Sequence, residues 1–342
     1  MYAIIHPTAT ACSVAPLQQL GYKILIRNTP FDKSDIRQEF LRKAIDGASC
    51  CGAKEYLKYY AYTLVQHPIA VILDLDSLLL KPLDVMFDVM LLEGGGGGGE
   101  RNKELFDRLP IHKSGDDYDI SSLYNKRIDG FYTKDYNLNS PGSEKYAGVQ
   151  GGFLILRTDE DAFADYVNLV LEGNFIEGKG WGGKYGYFYG GAQVQGLSSY
   201  YYGQIHPEKG VELNRCRVNQ MVDNPLFSSK GDNHGVEDKC RDGRDKCEDC
   251  RETDLNDIWS AHFTICGKPW HCDVMQYQTP KLCSKLHSEW FRIRRSFEET
   301  RRDGNANEMR LLPKLEGSYR PEIFHGYCKG DGENAYLPLK VV

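Results

Sequence analysis

Two aspartates separated by a single residue, in Ile72-Leu-Asp-Leu-Asp-Ser-Leu-Leu-Leu-Lys-Pro82, are the strongest chemical signal in the chain. An apolar run leads into them, so Asp74 and Asp76 fall where a buried strand would end. At i and i+2 on an extended backbone, both carboxylates point to the same side. Adjacent like charges are costly there, and a divalent cation removes that cost. Hard oxygen ligands suit Mg²⁺ or Mn²⁺. The plainer alternative is a solvated turn with an incidental Asp-x-Asp. A second signal is Ala261-His-Phe-Thr-Ile-Cys-Gly-Lys-Pro-Trp270. A strand delivers His262, and a turn stiffened by Pro269 and Trp270 presents Lys268. Imidazole favours Mn²⁺ over Mg²⁺ or Ca²⁺. An ammonium is a compact point charge suited to phosphate. The alternatives are a core histidine satisfied by backbone and an exposed turn lysine.

The elements that must hold these residues alternate between strand and helix. Tyr2–His6 reads as a strand and Ala11–Leu20 as a helix stopped by Gly21. Tyr22–Arg27 reads as a strand and Asp35–Ile45 as a helix with Ser34 at its N-cap. Lys54–Gln66 reads as another helix, and Ala70–Leu75 as a buried parallel strand. The order predicts an α/β sheet with right-handed crossovers. The six glycines Gly94–Gly99 follow a helix and are not closed by Gly-Lys-Ser/Thr. They fit a flexible linker better than a phosphate-binding loop. Gly148–Arg157 predicts a strand with a glycine-rich entrance, Glu160–Glu172 a helix, and Trp259–Phe263 a strand. Ser284–Arg302 predicts a helix with Leu286, Trp290 and Phe297 along one face.

Composition narrows the function classes. In 342 residues the formal net charge is −6, which offers no basic field for nucleic acid. The longest apolar stretch, Ile69–Leu80, is interrupted by both aspartates and falls short of a membrane span. The N-terminus has no charged leader or signal-length apolar run. Seven of the 11 cysteines lie between Cys216 and Cys283. Disulfides are the first expectation. A zinc site built on Cys247-x-x-Cys250 with Cys240, Cys266 and Cys272 is the alternative.

Taken together, the motifs resemble glycosyltransferase family 8, the glycogenin-like retaining enzymes. The family shows a lysine-bearing helix, a strand ending in D-x-D, and much later H-x₅-K-P-W. Lys58, Asp74, Asp76, His262, Lys268, Pro269 and Trp270 stand at those positions. The strand entered by N-x-G is matched by Gln150-Gly151-Gly152, and the D-Q-G-L segment by Val194-Gln195-Gly196-Leu197. Asn219 looks like the family's asparagine before the metal histidine. The resemblance spans roughly residues 1–275.

The resemblance implies a GT-A, Rossmann-like nucleotide-diphospho-sugar transferase fold with a mixed, mainly parallel sheet flanked by helices. It implies Mn²⁺, with Mg²⁺ as a substitute, on Asp74, Asp76 and His262, and a UDP-sugar donor. Lys268 and Lys58 would act on the donor's phosphates or sugar, with Gly267, Gln150, Gly151 and Gly152 lining the donor. Gln195 would lie near the anomeric carbon. The partner would be a glycan or protein acceptor, with no nucleic acid, and with a membrane engaged only through an anchor outside this sequence. The departures are Val194 where the family has Asp, Gln150 where it has Asn, and Ile265 where it has Gly. The strand Tyr2–Ile5 resembles the family's second βα unit rather than its first, so a truncated, inactive homologue that binds only metal or glycan is a further expectation. The predicted organisation is a transferase domain over 1–283, with an insert at 94–145 and a Cys-rich loop at 229–257. A helical extension and tail then span 284–342. The cysteines predict a secretory-pathway lumen such as the Golgi, with the cytoplasm as alternative.

Overall fold

The computed structural model of the chain describes residues 1–47, 51–92, 100–111, 123–124, 126–135, 148–186, 188–226, 240–241, 247–271 and 281–302. The Gly94–Gly99 run, Asp116–Asp119, Cys272 and the tail after residue 302 lie outside them. Strands among the described residues are β1 Tyr2–Ile5, β2 Lys23–Ile26, β3 Ile69–Leu73, β4 Ser77–Leu79 and β5 Gly130–Lys134. They continue as β6 Val149–Arg157, β7 Phe175–Ile176, β8 Gly180–Trp181, β9 Gly210–Glu212 and β10 Ser260–His262. The α-helices among the described residues are α1 Ala11–Gln19, α2 Glu39–Ala44, α3 Asp84–Leu91, α4 Glu100–Asp107, α5 Glu160–Glu172, α6 Val194–Tyr200 and α7 Lys281–Arg302.

The chain divides into two units. The first comprises the described residues of Met1–Asp74, Leu83–Asn214 and Pro225–Cys247. The second comprises Leu75–Pro82, Arg215–Asn224 and the described residues from Glu248 onward.

In the first unit a four-stranded sheet runs β3-β6-β5-β9. β3 pairs antiparallel with β6, from Ile69↔Arg157 to Leu73↔Phe153. β5 is also antiparallel to β6, and only β9 joins parallel, to β5. β1 and β2 form a separate parallel pair. The sheet is therefore mixed rather than mainly parallel, and β3 is not the parallel strand the sequence predicts. Nor is β3 buried along its length: only Ile72 is, Ile69–Val71 are half-buried and Leu73 is exposed. β6 is covered on both faces, its first eight residues all buried, and so is β5 over its first four.

The helical readings hold unevenly. α5 has the predicted bounds, capped by Asp159 Oδ1 on Asp161 N at 2.9 Å. It ends at Gly173, whose φ of 66° needs a residue without Cβ. The helix predicted over Asp35–Ile45 is instead a 3-10 turn, Lys33–Asp35, capped by Asp32, followed by α2, capped by Gln38. Between them Ile36 is extended and fully buried, so the chain leaves the helical path to bury it. Gly52–Thr63, where an α-helix is predicted, winds as a 3-10 helix. Its three-residue turn stacks side chains at i and i+3. Tyr56, Tyr59 and Tyr62 therefore share one face, and all three are buried. They join an aromatic core with Tyr166, Tyr201 and Tyr202, with Tyr59 and Tyr166 stacked at 4.1 Å between ring centroids.

The second unit is built on a two-stranded antiparallel ladder, β10 with β4, in the register Ser260↔Leu79 to His262↔Ser77. Its core gathers Leu78, Val222, Ile258, Phe263, Leu282 and Leu286. α7 begins three residues before the predicted start, and Leu286 is buried as its spacing requires. Cys216–Cys250 and Cys266–Cys283 are disulfides of this unit, and Cys240–Cys247 belongs to the first. The zinc reading is thereby corrected, because oxidised cysteines offer no thiolate to a metal. Among the described residues, no helix is long and apolar enough to cross a membrane.

Candidate functional site

In the first unit, β3 ends at Leu73 and Asp74 follows at once. Its backbone N–H donates to Gly152 O at 3.0 Å, which fixes the aspartate beside the glycine-rich entrance of β6. Lys58 reaches the same place from the 3-10 helix. Its ammonium lies 2.7 Å from Asp74 Oδ1, donates to Gly151 O at 3.0 Å, and lies 3.4 Å from Glu55 Oε1. Burial pulls the Lys58 pKa down, but Asp74 and Glu55 outweigh it and hold the group above its ordinary range. Burial pushes the Glu55 carboxyl up, and the Asp74 charge adds to that against the opposing pull of Lys58.

Gln195 lies in the first turn of α6. Its Nε2 donates to Tyr189 O at 2.9 Å and to Asp135 Oδ2 at 3.3 Å. A Cβ added to Gly151 would stand 3.1 Å from Gln195 Cγ and 3.4 Å from Glu55 Oε1. Lys58, Gly151 and Gln195, far apart in sequence, are therefore neighbours. Gln150 folds back instead, its Oε1 accepting from Gly152 N. Val194 is buried in the tyrosine core, with its carbonyl accepting from Tyr59 O–H at 3.2 Å. Nearby acidity comes from Glu55 and Asp135, neither of which the sequence reading singled out. Glu55 could have been found from its i, i+3 spacing to Lys58. Asp135 becomes visible only once α6 is placed next to the end of β5.

In the second unit, Phe263 N donates to Asp76 O at 2.9 Å, extending the ladder past His262. His262 Nε2 then lies 3.2 Å from Asp76 Oδ1, and Lys268 Nζ is ion-paired with Asp76 Oδ2. Burial raises the Asp76 pKa, but the His262 and Lys268 hydrogen bonds hold it well below the usual carboxylate range. β10 is steadied by the buried segment before it. Gln220 N donates to Ser260 O and His262 N donates to Gln220 O, each at 2.9 Å. Gln220 Nε2 donates to Cys216 O at 2.7 Å and to Cys250 O at 3.0 Å. Asn219 sits at φ 54°, its N–H donating to Ser260 Oγ at 2.8 Å. Val222, at φ 65°, holds a conformation that β-branched residues rarely take. Lys268 follows Gly267, which turns at φ 70°. The turn is tied to α7 by Cys266–Cys283 and by His287 Nε2, 3.3 Å from Gly267 O.

Each aspartate of Asp74-Leu75-Asp76 thus meets a different lysine, and Asp76 meets a buried imidazole as well. No family model matches the chain, and no curated protein matches it. Among solved structures it is similar to the crystal structure of mouse Xyloside xylosyltransferase 1, apo form. That match has a TM-score of 0.37 and 13% identity, and covers 76% of this chain and 83% of that one.

Proposed function

We propose that the chain is a Mn²⁺-dependent retaining hexosyltransferase that moves sugar from a UDP-sugar to a glycan or protein acceptor. One observation carries this reading. The two carboxylates of a D-x-D are each ion-paired with one of the two lysines that the motifs assign to a donor. The donor set also suits the ion, since two carboxylates and the imidazole of His262 make a mixed oxygen and nitrogen set fit for Mn²⁺. Asp74, Asp76 and His262 would hold it. When bound, a divalent ion stabilises negative charge on the departing pyrophosphate. Lys268 would add positive charge at the same oxygens, and Lys58 at the donor's sugar or phosphates. Gly267 and the Gln150–Gly152 backbone let the donor approach closely, and Gln195 faces its reacting carbon. The leaving phosphate accepts the acceptor's proton. Three disulfides among the described residues support residence in an oxidising lumen.

The test is transfer from UDP-glucose, UDP-galactose and UDP-GlcNAc with and without Mn²⁺, with product configuration read by NMR. Asp76→Ala is expected to lower turnover by at least about a thousandfold, the scale of losing a charge-stabilising group. Metal-independent transfer, or an unaffected Asp76→Ala variant, overturns the mechanism. Calorimetry with UDP and Mn²⁺ separates an active enzyme from a homologue that binds metal or glycan alone.

A further inference from the structure

Both aspartates proposed as metal ligands already have a cation. Lys58 holds Asp74 at 2.7 Å, and Lys268 holds Asp76. The lysine side chains are only 22% and 28% exposed, so neither pair is an ordinary surface contact open to full solvent screening. An ammonium and a divalent ion sharing one carboxylate repel each other. A metal arriving at Asp74 and Asp76 must therefore loosen both lysines. Lys58 has somewhere to go, because Gly151 O at 3.0 Å and Glu55 Oε1 at 3.4 Å remain within its reach.

Resting on the metal reading above, we infer that Lys58 and Lys268 are resident counter-ions exchanged by the metal and then taken by the donor's phosphates. Each neutralises one carboxylate of the D-x-D. Metal binding breaks each Lys–Asp pair and frees two ammonium groups for a nucleoside diphosphate. By linkage, a diphosphate that draws the lysines away strengthens metal binding by the same factor. No covalent bond changes in this exchange. Glu55 is a positioning residue within it: it keeps Lys58 close at hand after Asp74 lets go.

Simple chelation makes a different prediction. Mn²⁺ and UDP would also favour each other by direct contact, and that coupling needs no lysine. The experiment is a Mn²⁺ titration of the purified chain, read by the spin-resonance signal of free Mn²⁺ and by calorimetry, with and without UDP. It compares the parent protein with Lys58→Met, Lys268→Met and Lys81→Met. Lys81 serves as the control cation, because it lies over the Trp259 ring, 5.6 Å from its centroid, rather than on either aspartate. Lys58→Met and Lys268→Met are each expected to bind Mn²⁺ about three- to tenfold more tightly without UDP, the range of a partly buried ion pair. The tightening of Mn²⁺ by UDP should shrink by a similar factor in each, and Lys81→Met should match the parent. Glu55→Gln is expected to weaken Mn²⁺ binding in the parent background and to have no effect in Lys58→Met. That cycle separates positioning of Lys58 from a bare loss of negative charge. Lys268→Met carries the test by itself if the more buried Lys58 variant fails to fold.

Mn²⁺ binding unchanged or weakened in both lysine variants overturns the exchange, as does undiminished coupling to UDP. It leaves the metal site standing. If the parent and every variant bind no Mn²⁺, the metal reading falls and takes the exchange with it.

Discussion

Removing Cys266–Cys283 should separate the stability of the second unit from the aim of Lys268. The bond closes a 17-residue separation and ties the Lys268 turn to α7. In the chain-entropy model a loop of that length stabilises by about 3 kcal/mol at 25 °C. Cys216–Cys250 spans 34 residues and Cys240–Cys247 only 7, so they should contribute about 3.8 and about 2.4 kcal/mol. The perturbation is a double Cys→Ala replacement at each pair in turn. Unfolding in urea then gives three losses, expected to rank Cys216–Cys250 first and Cys240–Cys247 last. Cys266 and Cys283 are each 1% exposed, so their removal adds a packing loss to the entropic one. The second readout is UDP affinity under conditions where all variants stay folded. Without Cys266–Cys283 the Lys268 turn keeps the His287 contact to Gly267 O but loses its covalent tie. UDP binding should weaken severalfold there and stay level when Cys240–Cys247 is removed. If Cys240–Cys247 costs most in stability, loop closure is not what these bonds supply. If UDP binds all three variants alike, the disulfide does not aim Lys268.

Two further outcomes follow. Gly151→Ala places a Cβ 3.1 Å from the side chain of Gln195, so unfolding should shift by no more than about 1 kcal/mol while transfer falls about tenfold or more. Gly196→Ala, whose Cβ would lie 1.7 Å from Gly191 O, should instead compromise folding, and comparing turnover with urea midpoints distinguishes the two. Burial holds the His287 imidazole below its ordinary 6.5 against the opposing bonds to Gly267 and Cys266, so the folded state resists a proton that the unfolded state accepts. Stability should be fully present above pH 6.5 and fall below it by up to about 1.4 kcal/mol per pH unit, and His287→Gln should flatten that slope in urea titrations between pH 7.5 and 5.

The residues legible from the sequence share a property: their chemistry is declared by neighbours along the chain. Asp74 and Asp76 are two apart, and His262 and Lys268 are six apart with a proline and a tryptophan behind them. Strand direction is not declared that way. β3 is the same apolar run whether its partner is parallel or antiparallel, and it pairs antiparallel with β6 because of where the chain re-enters the sheet. The cysteines behave likewise. Cys247-x-x-Cys250 looks like a unit in sequence, yet its members pair with Cys240 and Cys216. Gln220 has no motif at all. Its role depends on Cys216 O and Cys250 O converging on one amide.

Glu55 marks the boundary between the two kinds of information. Residues 52–63 carry tyrosines at 56, 59, 60 and 62, and the three that are buried, Tyr56, Tyr59 and Tyr62, are spaced three apart. That spacing suits a 3-10 helix, which sets every third side chain over the last. Once the tyrosines enter the core, the same period sets Glu55 and Lys58 one above the other on a separate face. An α-helix would also bring i and i+3 together, but it would rotate Tyr62 about 120° from Tyr56. Tyr62 reaches both Tyr202 and Tyr166 through its hydroxyl, at 3.0 and 3.4 Å, contacts that need it on the shared face. The tyrosine stripe thus selects the tighter helix, and the tighter helix delivers Lys58 to Asp74 with Glu55 beside it. The core packing and the charge arrangement of the candidate site are consequences of one three-residue period.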